Sequence, residues 1–166
     1  MEVERKFLVW EVPTDLDRRP SSAIDQGYLA IDADGSEVRL RRRAGRTYVT
    51  GKRGHGLVRS EAEVEISEAQ FDALWPLTEG RRIEKTRYEI SAGQRLVIEL
   101  DVYGGGLAGL VVAEVEFSSR SDAEAFDAPG WFGPDVTDDD GYKNQRLATA
   151  GLPSAARGCP GSPAGA

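Results

Sequence analysis

Stretch after stretch of this chain alternates charged and apolar side chains with a period of two, which commits it to a β-rich fold whose sheet has two chemically different faces. Residues 2–9 place Glu2, Glu4 and Lys6 on one side and Val3, Phe7 and Val9 on the other, with Arg5 out of step. In 37–43, Glu37, Arg39, Arg41 and Arg43 alternate with Val38, Leu40 and Arg42, and after the turn marked by Gly45 the residues Arg46, Tyr48, Thr50 and Lys52 share a side. The rhythm returns in Arg59, Glu61, Glu63 and Glu65, in Arg81, Lys85, Arg87 and Glu89, in Arg95, Glu99, Asp101 and Tyr103, and in Glu114, Glu116 and Ser118. Only 24–31 alternates weakly.

Helical spacing is rare. Ser67 and Gln70 have capping-box spacing ahead of Phe71, Leu74 and Trp75, and Pro76 is expected to end that helix. A second helix is expected from Ser121, with Glu124 at the box position, and a third over about 142–150 after a loop that begins at Trp131. Trp10, Trp75 and Trp131 are expected in the core or against helices, His55 in an exposed loop, and Asp138 to Asp140 in a solvated loop. The sum is about eight strands in antiparallel meanders, which predicts a closed eight-stranded barrel with short helices packed outside.

At 166 residues the chain is the size of one domain. That domain is expected over 1–150, with 151–166 a disordered tail of small residues. No apolar run is long enough to span a bilayer, and the first ten residues mix acids and bases where a secretory signal needs an apolar core. With Cys159 as the single cysteine there is no disulfide framework, and a reducing cytoplasm is the expected compartment.

The net charge of −7 is unevenly distributed. Residues 38–59 hold eight cations and no acid, whereas 96–166 hold four cations and eleven acids. A basic block inside an acidic protein argues against a nucleic-acid binder, whose field is positive overall, and for a local anion site. The charged strand faces come in like-charge clusters, which destabilise a sheet unless ions or ligands lie between them. Carboxylates of Glu2, Glu4, Glu99, Asp101, Glu114 and Glu116 suit Mg²⁺ or Mn²⁺, both of which prefer oxygen donors, and one His excludes a His-based zinc site. Lys6, Arg39, Arg41, Lys52, Lys85, Arg87 and Lys143 suit phosphate oxygens. Metal and cations together imply a polyphosphate ligand and metal-assisted transfer of a phosphoryl group to water.

The ordered series Glu2-x-Glu4-x-Lys6, Arg39-x-Arg41, Thr50-x-Lys52, Glu61-x-Glu63, Glu84-Lys85-Thr86-Arg87, Glu99-x-Asp101, Glu114-x-Glu116 and Lys143 resembles the CYTH domain of the triphosphate tunnel metalloenzymes, in its short stand-alone bacterial form. The resemblance runs from residue 2 to about 150. It implies an eight-stranded tunnel that hydrolyses the end phosphoanhydride of triphosphate compounds; because no stretch of the sequence looks like a nucleobase pocket, the expected substrate is inorganic triphosphate, split to pyrophosphate and orthophosphate. It assigns Glu2, Glu4 and Glu116, with Asp101 and Glu114 nearby, to Mg²⁺ or Mn²⁺, and Lys6, Arg39, Arg41, Lys52, Lys85 and Arg87 to the triphosphate. Lys143, in a helix plugging one end, is assigned to the terminal phosphate, Glu61 and Glu63 to a second metal or the attacking water, and Tyr28 to accepting a proton. Within the family, nucleoside or thiamine triphosphate hydrolysis and adenylate cyclisation are the alternatives, and outside catalysis a polyphosphate-binding module. Cyclases often carry a His-Phe pair ahead of the first acidic motif, where this chain has Met1 alone. The expected partner is a small anionic triphosphate, with no nucleic acid and no membrane, and the sequence leaves room for a homodimer.

Overall fold

The computed structural model describes residues 3–53, 60–93 and 96–154; Glu2, His55, Arg59, Arg95 and the tail from residue 155 lie outside the described residues. The alternating stretches form strands β1 (Val3–Val9), β2 (Ser21–Ile31), β3 (Glu37–Arg43), β4 (Arg46–Arg53), β5 (Ser60–Ile66), β6 (Arg82–Ser91), β7 (Val97–Tyr103) and β8 (Val111–Phe117). A ninth, β9 (Phe132–Asp135), comes from the segment expected to be a loop. Neighbours pair antiparallel in one sheet, in the order β5-β4-β3-β2-β6-β7-β8-β1-β9.

This corrects the expected closed eight-stranded barrel: the sheet is open, with β5 and β9 as its edges. The physical reason is β9. It pairs with the outer edge of β1 through Phe7 with Asp135 and Val9 with Phe132, so the edge that would have met β5 to close a barrel is occupied. Each edge is guarded. β9 is four residues long and contains Pro134, and β5 carries Glu61, Glu63 and Glu65, both of which discourage pairing with another chain.

Turn chemistry fixes the register where the chain reverses tightly. β3 and β4 join through Ala44 and Gly45, with φ of 50° and 75°, a two-residue connection whose left-handed backbone matches the twist of the flanking strands. The helices are short: α1 (Glu68–Leu74), α2 (Arg120–Ala125) and α3 (Asn144–Ala150). Ser67 and Gln70 form the capping box that starts α1, which ends at Leu74 ahead of Pro76 as expected, and a 3₁₀ turn over Trp75–Thr78 follows it. α2 is capped two residues earlier than expected, by Ser119, which accepts from the Asp122 amide. No helix among the described residues is long and apolar enough to cross a membrane.

Two apolar clusters hold the sheet. On one face, Val9, Ile98, Leu100, Ala113, Val115 and Phe117 pack with Ala123 of α2, flanked by Phe126, Trp131 and Phe132. On the opposite face, at one end only, Leu147 of α3 packs with Leu8, Ile83, Tyr103, Val112 and Tyr142, and Leu152, expected in the tail, joins them. Trp75 stacks on Phe71 with centroids 5.0 Å apart, whereas Trp10 is half exposed, contrary to a core placement.

Candidate functional site

Register places the charged side chains on one face. Residues paired across a ladder share a face. The pairs run Glu4 with Glu116 and Lys6 with Glu114, then Glu114 with Glu99, Asp101 with Arg87, and Tyr103 with Lys85. They continue through Ile24 to Arg43, Gln26 to Arg41 and Tyr28 to Arg39, and end in Thr50 with Glu63 and Lys52 with Glu61. Period-two alternation therefore carries every described strand residue expected to hold metal, triphosphate or water to the same side of the sheet. Arg5 and Arg42 fall on the other side. Arg5 pairs with Asp135 at 2.7 Å, and Arg42 lies over the Phe71 ring and pairs with Glu68 and Asp72 of α1.

At the centre of the face is a dense ion network. Lys85 Nζ donates to Asp101 Oδ2 at 2.6 Å, and Arg87 donates to both Asp101 oxygens at 2.7 and 2.6 Å. Arg87 also donates to Glu114 at 2.9 Å and to Glu99. Lys6 Nζ lies 3.0 Å from Glu114 and 3.8 Å from Glu4. Buried charges of this density persist only because each is paired. Burial would raise the Glu114 carboxyl, but Lys6, Lys85 and Arg87 outweigh it and pull it down to about 2. Burial disfavours the Lys6 ammonium, yet Glu114 and Glu4 hold its pKa above the ordinary value. For Lys85 burial wins, and its pKa is lowered.

Glu4 is different. Burial, then the carboxylates of Glu114 and Glu116, raise its pKa, with only Lys6 and Arg87 opposing. Among the described residues no group of three or more His, Cys, Asp or Glu side chains is arranged to hold a metal ion. What the face does offer is Glu4 directly opposite Glu116, oxygen donors of like charge, one of them held above the ordinary carboxylate range. That donor chemistry fits a hard divalent cation, which would relieve the repulsion. Asp101, expected beside the metal, has both oxygens committed to Lys85 and Arg87.

The cationic side of the face is built on β3 and β4. Arg39 is buried, 3.7 Å from Glu37 and 3.8 Å from Glu61, and its Nε has no hydrogen-bond partner. An unpaired buried donor is costly, and the chemistry that satisfies it is an anionic acceptor. Arg41 Nε donates to Gln26 at 3.0 Å; burial and then the Arg39 charge pull Arg41 down to about 10. Lys52 lies 3.1 Å from Glu61, and Thr50 donates to Glu63 at 2.8 Å, so both β5 acids are oriented from β4.

Tyr28 is buried and accepts from Gln26 at 2.8 Å. Burial, reinforced by Glu37, raises its phenol above the ordinary value, so it keeps its proton at neutral pH and is suited to hydrogen bonding rather than to accepting a proton. Lys143 precedes α3 and is not brought into the network: its Nζ lies 2.6 Å from Asp140, half exposed. Asn144 beside it accepts from the Tyr103 hydroxyl at 2.7 Å, tying α3 to the sheet.

Sequence reasoning missed Gln26, the fully buried hinge between Tyr28 and Arg41, because 24–31 alternates weakly. Its parity with Tyr28 was the available signal. It also missed Glu99 and Glu37 as charge partners of Arg87 and Arg39.

No family model matches the chain. It is 47% identical over 148 residues to the inorganic triphosphatase of Nitrosomonas europaea, spanning 89% of this chain and 96% of that one. A crystal structure of an inorganic triphosphatase superposes with a TM-score of 0.74 at 41% identity, covering 92% of this chain and 97% of the other. A protein from Pyrococcus horikoshii shares the fold at 18% identity, with a TM-score of 0.53 over 75% of this chain and 84% of its own.

Proposed function

The chain belongs to the inorganic triphosphatase family, and from that premise we propose that it is a CYTH-type, Mg²⁺- or Mn²⁺-dependent enzyme that hydrolyses inorganic triphosphate to pyrophosphate and orthophosphate in the cytoplasm. The observation that carries this reading is the gathering, on one sheet face, of a row of guanidinium and ammonium groups beside a pair of opposed carboxylates.

The roles follow from charge and geometry. Arg39, with its buried unpaired Nε, and Arg41, steadied by Gln26, grip phosphate oxygens as planar forks, with Lys52 at their side. Lys6, Lys85 and Arg87 supply positive charge toward the same ligand while their carboxylate partners keep them ordered. Lys143 completes the set from the α3 end once it leaves Asp140. Glu4 and Glu116, with Glu2, hold the metal, and Glu114 and Asp101 keep the neighbouring cations in place. The metal, when bound, neutralises charge on the phosphate oxygens and polarises the bond to be broken. Glu61 and Glu63, oriented by Lys52 and Thr50, position the attacking water. Phosphoryl transfer to water needs little covalent help, and positioning plus charge neutralisation carry it.

The test is orthophosphate release from tripolyphosphate, ATP and thiamine triphosphate, with and without Mg²⁺ or Mn²⁺. Release from tripolyphosphate well above the other two, abolished by EDTA, is expected. Tight binding without turnover of any of them rejects the enzymatic reading in favour of a polyphosphate-binding module.

A further inference from the structure

Several cations of the face have their charge answered by a carboxylate. Lys85 and Arg87 share Asp101, Arg87 also reaches Glu99 and Glu114, and Lys6 lies 3.0 Å from Glu114. Arg41 is held differently. Its Nε donates at 3.0 Å to the side-chain oxygen of Gln26, a neutral amide, while the Glu63 carboxylate stands 4.0 Å from its guanidinium. Arg41 is thus fixed in place by a group that leaves its charge unspent.

Gln26 is fully buried on β2, directly opposite Arg41 on β3 and Ile83 on β6. An amide has a donor end and an acceptor end, and the partners decide which lies where. A guanidinium can only donate, so the amide oxygen faces Arg41 and the amide nitrogen faces Tyr28. That nitrogen donates to the Tyr28 hydroxyl oxygen at 2.8 Å. Arg39, opposite Tyr28 across the β2–β3 ladder, favours the same arrangement, since it too can present only N–H groups to that oxygen. The phenol oxygen accepts on the protein side, and its own hydrogen is left for an acceptor arriving on the charged face.

We propose that Gln26 is a positioning residue for the triphosphate: it fixes the Arg41 fork without cancelling its charge, and it turns the Tyr28 hydroxyl into a hydrogen-bond donor to a phosphate oxygen. The proposal rests on the reading that Arg39 and Arg41 hold triphosphate. A carboxylate at position 26 would hold Arg41 as firmly but neutralise it. Its second oxygen would accept the Tyr28 proton and withdraw it from the ligand. The neutral amide does neither, because its nitrogen only donates. In this role Tyr28 helps to hold the ligand and takes no proton from the attacking water.

The test is calorimetric binding of tripolyphosphate in EDTA by Gln26→Glu, which keeps the length of the side chain and its acceptor for Arg41. The variant is expected to melt no lower than wild type, because a carboxylate beside Arg41 offsets its repulsion with Arg39, while its affinity falls at least about tenfold. A side chain that only held the fold together would leave the affinity of so stable a variant within about twofold of wild type, and that result overturns the proposal. Tyr28→Phe removes the hydroxyl alone and is expected to weaken binding by about three- to tenfold. Unchanged binding with only turnover reduced, the pattern of a proton acceptor, overturns the donor role; should Gln26→Glu fail to fold, this second variant decides. Hydrolysis is scored separately. Absence of orthophosphate release by wild type with Mg²⁺ or Mn²⁺, alongside weakened binding in both variants, rejects the triphosphatase reading and supports the positioning role. Wild type that binds no tripolyphosphate overturns both.

Discussion

Lys85 Nζ and Asp101 Oδ2 meet at 2.6 Å with both side chains sealed from water, and Arg87 closes on the same carboxylate from the other side. One negative charge thus compensates two buried cations. Replacing it in Asp101→Asn leaves Lys85 and Arg87 without their shared counter-charge, and a loss of roughly 3 kcal/mol or more in unfolding free energy is expected from urea titration. A loss below about 1 kcal/mol would show that Glu114 and Glu99 can take over the compensation.

Close packing makes a second prediction independent of charge. A Cβ added at Gly27 would sit 2.5 Å from Thr78 Oγ1 and 2.6 Å from Thr78 Cβ. Thr78 cannot easily give way, since its hydroxyl donates to the Trp75 carbonyl at 2.7 Å and accepts from Arg82 at 2.8 Å. Gly27→Ala should therefore cost roughly 1–3 kcal/mol. Gly51→Ala, where the added Cβ meets nothing within 4 Å, should stay within about 0.5 kcal/mol of wild type. Equal melting temperatures for the two variants would contradict the close approach of β2 to the turn at Thr78.

What could be read from the sequence was what is local. Alternation in β1, β3, β4, β6, β7 and β8 assigned Lys6, Arg39, Lys52, Arg87, Asp101 and Glu114 to one face because side-chain parity is fixed by the backbone alone. The Ser67 cap is equally local. What failed depended on pairing between distant segments. Gly133 and Pro134 hide β9 from any propensity argument, yet its pairing with β1 determines that the sheet is open. Asp101 was expected beside the metal as one carboxylate among several on the charged strand faces, and only the β6–β7 register shows it opposite Arg87.

Acid titration should expose Glu114. Its carboxyl is held at about 2 in the folded protein against an ordinary 4.5, so the folded state binds its proton less readily than the unfolded chain does. Its stabilising contribution is fully present above pH 4.5 and is lost as the pH falls from there toward 2. The stability difference between wild type and Glu114→Gln is expected to be constant from pH 7 to 5, then to shrink by about 1 kcal/mol per pH unit below pH 4 in urea titrations. A difference that stays flat to pH 3 would mean that Lys6 and Arg87 do not depress this group.

Glu4 has the opposite sign and links stability to function. Burial and the neighbouring Glu114 and Glu116 raise its folded pKa, so its contribution is favourable below the ordinary carboxylate range and is lost as pH rises through the raised value. At pH 7 the ionised side chain opposes folding unless a cation lies beside it. In EDTA, Glu4→Gln should melt higher than wild type by roughly a degree, a small shift because the side chain is half exposed and screened. Adding Mg²⁺ or Mn²⁺ should raise the wild-type melting temperature and leave the variant unmoved, reversing their order, while tripolyphosphate turnover by the variant falls at least about 100-fold. If the divalent ion stabilises both proteins equally, Glu4 is not a ligand, and the opposed Glu4 and Glu116 carboxylates must be tolerated for another reason.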